Sequence, residues 1–139
     1  MNELPDNNYD EARRWLRNTA DDLHVMRVTL DDPESPARMT CFFAHLVVEK
    51  CLKAALIDAG APFEKTHDLV GLYERCVRED RLAGLDAGTL ESLNPWAIDG
   101  RYADDLVEAG RATATRLAAF AEEVFAAVCR ELGGDDGDE

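Results

Sequence analysis

The run Cys41–Leu69, CFFAHLVVEKCLKAALIDAGAPFEKTHDL, constrains the fold more than any other part of the chain. Phe42, Phe43, Leu46, Val47, Cys51, Ala54, Ala55 and Ile57 recur at the three-and-four spacing of an α-helix. Their apolar arc is wide, which predicts a helix with neighbours on two sides. Ser35 is the expected N-cap, with Pro36 at the first helical position and Gly60 as the stop. Glu49, Lys50 and Lys53 interrupt the apolar run. Glu49 and Lys53 stand four residues apart in the order that favours an ion pair along a helix, so they read as a structural pair fixing helix register.

The same periodicity organises the rest of the chain. Residues 1–8 read as a flexible leader, followed by a helix from about Tyr9 to Leu30 with Ala12, Trp15, Leu16, Thr19, Leu23, Met26 and Leu30 facing inward. After the loop 61–65, Thr66 is the expected cap of a third helix reaching to about Asp80, with Leu69, Leu72, Tyr73, Cys76 and Val77 inside. Asp86–Leu93 predicts a short helix stopped by Asn94-Pro95, and Trp96 and Ile98 are expected to anchor the connection. A last helix is expected from about Asp105 to Leu132, ending at Gly133-Gly134, with residues 133–139 a disordered acidic tail. No alternating strand pattern occurs. The expected fold is all-α: an antiparallel up-and-down bundle of four long helices plus one short helix, spanning residues 9–132.

A chain of 139 residues can bury a core without disulfides. Cys41 and Cys51 lie on one helix about 15 Å apart, too far to bridge. There is no CxxC, so the four cysteines read as small apolar residues in a reducing compartment. No signal-like segment precedes the first helix and no apolar run has membrane-spanning length, which predicts a soluble cytoplasmic protein. The net charge is −14, of which the acidic tail contributes four units. That balance opposes nonspecific binding to a phosphate backbone. Arg13, Arg14 and Arg17 cluster on the first helix but read as a solvated face balanced by Glu11, Asp21 and Asp22.

The segments Glu49-Lys50, Lys53-Ala54-Ala55-Leu56 and Lys65-Thr66-His67-Asp68-Leu69, followed by Arg101-Tyr102, occur in an order that resembles the HEPN domain of prokaryotes. With Trp15, Ala20, Asp22 and Leu23 in the opening helix, the likeness covers about residues 9–132. The resemblance implies a helical module that pairs with itself and accompanies a minimal nucleotidyltransferase. It also implies a test for ribonuclease activity, since many members resemble one another in an Arg-x(4–6)-His motif near the last two helices. Here Arg101 is followed by Tyr102-Ala103-Asp104-Asp105-Leu106-Val107-Glu108, without a histidine. The adjacent carboxylates Asp104 and Asp105 would repel a scissile phosphate.

The candidate ligand-binding residues are Lys65, His67, Arg101 and Tyr102. His67 lies at a helix start, where backbone amides gather anions, and Tyr102 could stack on a base or sugar. The competing reading has His67 tying its loop to a neighbouring helix through backbone hydrogen bonds. Arg101 could likewise pair with Glu49 inside the bundle. Arg38 and His45 match the ribonuclease spacing formally, but in the wrong helix, and His45 among Ala44, Leu46 and Val47 reads as a hydrogen-bonded core residue. No catalytic residue is assigned, and no metal site or cofactor is expected. The leading functional expectation is a noncatalytic binding module, a homodimer acting with a minimal nucleotidyltransferase and holding a nucleotide or its substrate. The dimer expectation draws on the alanine-rich last helix (Ala112, Ala114, Ala118, Ala119, Ala121, Ala126, Ala127). The alternative is a metal-independent ribonuclease toxin of a toxin–antitoxin pair, using His67 or His45 as its base.

Overall fold

The computed structural model describes residues 7–97 and 110–133. All regular structure among them is helical: α1 (Asn8–Asp31), α2 (Ala37–Ala59), α3 (Leu69–Arg78), α4 (Ala87–Leu93), a short 3-10 helix (Asn94–Ala97) and α5 (Arg111–Glu131). The expected Ile98 anchor and the stretch from Asp105 to Ala109 lie outside the described residues, as do most of the leader and the acidic tail.

α2 is the axis of the molecule. Cys51, Leu52, Lys53, Ala54, Ala55 and Leu56 are consecutive and all buried. Six successive residues point all round a helix, so α2 must be enclosed, and it touches α1, α3, α4, the 3-10 helix and α5. α1 lies antiparallel along it. Thr29 and Thr40 share a hydroxyl hydrogen bond of 2.8 Å near the turn, Lys50 donates to Asp22 at 2.6 Å midway, and Asn8 approaches Gly60 at the far end. The inward residues of α1 are Ala12, Leu16, Thr19, Leu23 and Met26, with Trp15 and Leu30 at the margin.

Several boundaries differ from the expected ones, each for a local reason. Asn7 caps α1, accepting from the Asp10 amide at 2.8 Å, so the helix begins one residue early. Pro36, not Ser35, is the N-cap of α2. The Ser35 hydroxyl instead donates to the Asp32 carboxylate at 3.0 Å, closing the turn between the helices. Gly60 ends α2 with φ 72°, the left-handed geometry that glycine adopts without strain. α3 is only ten residues long and is capped by Asp68 rather than Thr66, whose hydroxyl accepts from the Asp68 amide at 3.0 Å. Val77, expected inside, is 42% exposed. α4 does end at Leu93, as expected, and Asn94-Pro95 opens the 3-10 turn that buries Trp96.

The loop 61–68 climbs back beside α2, so α3 descends in the same sense as its predecessor. His67 lies level with Glu49, the Cys76 thiol donates to the Leu52 carbonyl, and Arg81 pairs with Asp58 at 2.5 Å. α5 starts at Arg111, after an extended Gly110, later than the expected Asp105. Its first residue closes the bundle. The Arg111 guanidinium donates to the carbonyls of Leu30, Asp32 and Ser35 at 3.1–3.4 Å, around a helix end that has no basic residue of its own. The Leu30 and Asp32 carbonyls lie at the negative end of the α1 dipole, and Ser35 belongs to the turn that follows. Replacing Arg111 with Ala is expected to lower unfolding stability by about 1 kcal/mol, read as a lower urea midpoint with an unchanged denaturant slope.

Candidate functional site

His45, Glu49 and Lys53 follow one another at intervals of four on α2, which sets the three side chains along one face. Glu49 is the centre. Only 6% exposed, it accepts on Oε1 from His45 Nε2 at 3.1 Å and from His67 Nδ1 at 3.0 Å. Its other oxygen, Oε2, accepts from the Lys53 ammonium at 2.8 Å. Lys53, itself buried, also lies 5.9 Å from the centre of the Phe63 ring. On the far side of His45, Nδ1 is 2.9 Å from the Leu93 carbonyl oxygen and donates to it. Both nitrogens of a fully buried imidazole are therefore engaged.

Burial of the Glu49 carboxyl pushes its pKa up. The hydrogen bonds from His45, Lys53 and His67, together with the Lys53 charge, outweigh that effect and hold it at about 2. The pair Glu49–Lys53 is thus a buried ion pair whose carboxylate has three donors, the condition under which such a pair is tolerated.

His67 reaches this centre from the loop. Its side chain is 65% exposed, and it is held to α2 by the carboxylate of Glu49 instead of by backbone hydrogen bonds. The loop is fixed just beyond it. Asp68 accepts from the Val70 amide at 3.2 Å, while Asn94 accepts from the Leu69 amide at 2.9 Å and donates to Asp68 at 3.2 Å. Leu93 and Asn94, adjacent in sequence, thereby hold His45 and the start of α3 respectively. Beside the loop is an open groove of about 220 Å³ lined by Phe63, Thr66, Asp68 and Arg75, among others. It falls below the roughly 300–1,000 Å³ of a small-molecule site.

Of the residues expected to bind a ligand, His67 is joined to Glu49, whereas Lys65 is exposed and enters none of these contacts among the described residues. Arg101 and Tyr102 lie outside the described residues, and with them the expected Arg101–Glu49 pair. Arg38 is exposed while His45 is buried, so the formal Arg38–His45 match brings no two groups to one surface. Two of the clustered α1 arginines are engaged within the helix: Arg14 pairs with Glu11, and the Arg13 guanidinium lies 5.6 Å from the Tyr9 ring centre. In sequence, His45 reads as a core residue separate from the Glu49–Lys53 pair. The signal that unites them is the unbroken spacing of four from His45 to Lys53.

A helical bundle with a polar stripe buried on its central helix defines the class. The particular family follows from comparison: the model of the HEPN domain matches residues 12–132. The chain belongs to the HEPN domain family. No curated protein and no solved structure matches it significantly.

The sign of the Glu49 contribution to stability follows from its depressed pKa. The folded carboxyl titrates near 2 and the unfolded one near its ordinary 4.5. The stabilisation is complete above about pH 5 and fades as pH falls toward 2, and the full effect is roughly 3 kcal/mol. Glu49→Gln is expected to lose about 3 kcal/mol at neutral pH, with the gap to wild type narrowing in that acid window. Denaturant melts from pH 2 to 7 provide the check, and a constant gap would contradict this account.

Proposed function

We propose that this HEPN domain is a noncatalytic binding module that pairs with itself and acts with a minimal nucleotidyltransferase, holding a nucleotide or the transferase's substrate. One observation carries the reading: Glu49 engages both His45 and His67. A metal-independent ribonuclease needs a histidine free to move a proton beside an arginine that steadies phosphate charge. Here His45 is buried with both nitrogens engaged, His67 has Nδ1 committed to Glu49, and no histidine follows Arg101 in the sequence. These features favour the binding module over the toxin.

Self-pairing draws on α5. Ala114, Ala118 and Ala121 are used inside the protomer, which leaves Ala112, Ala119 and Ala126 exposed at intervals of seven along one side. Small residues at that spacing let two helices approach closely. The free thiols of Cys41, Cys51 and Cys76, all buried, fit a reducing compartment such as the cytoplasm. Among the described residues no helix is long and apolar enough to cross a membrane.

Sedimentation is expected to give twice the 15.4 kDa chain mass, and Ala119→Arg is expected to return the monomer. A wild-type monomer at high concentration would defeat the pairing. For the partner and ligand, co-expression with a minimal nucleotidyltransferase is expected to yield a complex. In that complex, added nucleotide should shift the NMR signals of Lys65, His67, Arg101 and Tyr102. Unchanged signals would remove the nucleotide role, and RNA cleavage on expression, lost in His67→Ala, would overturn the noncatalytic reading.

A further inference from the structure

We infer that His45 Nε2, Glu49 Oε1 and His67 Nδ1 form a binding site for a divalent transition-metal ion, zinc in the first place. These three ligand atoms lie within 4.8 Å of one another, and no other group of this kind occurs among the described residues. Two imidazole nitrogens and a carboxylate oxygen are the donor set of three-ligand zinc sites, which keep a fourth position for water or for an acidic group of a ligand.

The spacing fits. Ligand atoms about 2.0–2.1 Å from a tetrahedral ion stand about 3.3 Å from each other. Glu49 Oε1 is already 3.1 Å from His45 Nε2 and 3.0 Å from His67 Nδ1. An ion would enter by widening these contacts slightly and turning the imidazole of His67. That residue can comply because its side chain is 65% exposed on a loop, whereas His45 and Glu49 are fixed on α2.

His45 supplies a second and independent observation. Its Nδ1–H donates to the Leu93 carbonyl at 2.9 Å, which directs Nε2 toward Glu49. A backbone carbonyl on the remote nitrogen is the outer-shell arrangement that orients a metal-ligating histidine and raises its basicity. A core histidine needed only for packing does not require its second nitrogen aimed at a carboxylate shared with another histidine.

Lys53 is the main electrostatic objection. Its ammonium occupies Oε2 at 2.8 Å, not the oxygen shared by the imidazoles. On binding the ion, His45 Nε2 would release its proton to solvent while Nδ1–H stays on the Leu93 carbonyl, and His67 would carry its proton on Nε2, so the ion adds positive charge that the Glu49 carboxylate offsets in part. The remaining excess favours water ionisation or an anionic ligand at the open position.

The test uses the full chain, stripped with a chelator and titrated with Zn²⁺ against a chromophoric competitor, and separately with Co²⁺. One equivalent is expected to bind, with a four-coordinate Co²⁺ absorption spectrum. His67→Ala keeps the buried part of the cluster and is expected to fold; it should weaken binding at least tenfold, the scale reached by losing even an outer-shell partner. His24→Ala, a change at an exposed residue on α1, should leave binding intact. X-ray absorption of the zinc-loaded protein should report two imidazoles. No saturable binding, an octahedral Co²⁺ spectrum, or an affinity unchanged in His67→Ala would overturn the site. The last result would assign the ion to surface acids. None of these readouts depends on a nucleotide or a partner protein, so the metal site and the binding-module reading can fail separately.

Discussion

The buried carboxylate of Glu49 is the interaction on which the arrangement of this domain depends. Inside a helix that is covered on every side, an isolated carboxylate would cost several kcal/mol. Three donors offset that cost, and each comes from a different relation to Glu49: His45 one turn before it, Lys53 one turn after it, and His67 from a loop eighteen residues on. The last contact explains the path of the chain. For His67 to meet Glu49, the loop 61–68 must travel back along α2 after Gly60 reverses direction, and α3 must then start beside the middle of α2. The short α3 and its parallel sense are consequences of that return.

The carboxylate also links elements that never touch it. His45 passes the connection to the Leu93 carbonyl at the end of α4, and Asn94, the next residue, holds Asp68 and Leu69 at the start of α3. A polar network running through α2, the loop, α3 and the α4 end is therefore closed on itself. The buried part of the network favours one arrangement, because moving His45 or Lys53 removes a partner from the buried Glu49 carboxylate. Packing supplies most of the stability, as the continuous buried run Cys51–Leu56 indicates. The network decides which of the packings open to an apolar helix is adopted.

Membership of the HEPN domain family places this architecture in a group whose members range from binding modules to ribonucleases. The difference between those roles rests on a few side chains, since a fold does not by itself determine chemistry. In this chain, the histidine that the ribonuclease motif would need after Arg101 is missing from the sequence, and two of the three histidines present converge on one carboxylate. Glu49 thereby commits one ring nitrogen of each of these two histidines.

The sequence by itself determined what depends on neighbours within a turn or two of the chain. The periodicity of α1 and α2, the glycine stop at Gly60 and the four-residue proximity of Glu49 to Lys53 were legible, because helix geometry fixes which side chains share a face. The capping residues were legible only in type: Ser35 and Thr66 could serve, but Pro36 and Asp68 took the positions because the hydroxyls closed the adjacent turns. Only the tertiary structure decided that His67 would return to Glu49, that the Leu93 carbonyl would orient His45, and that Arg111 would close the end of α1. Those contacts join residues far apart in sequence, and no local spacing encodes them. They follow from how a loop crosses a buried helix whose polar groups must all find partners.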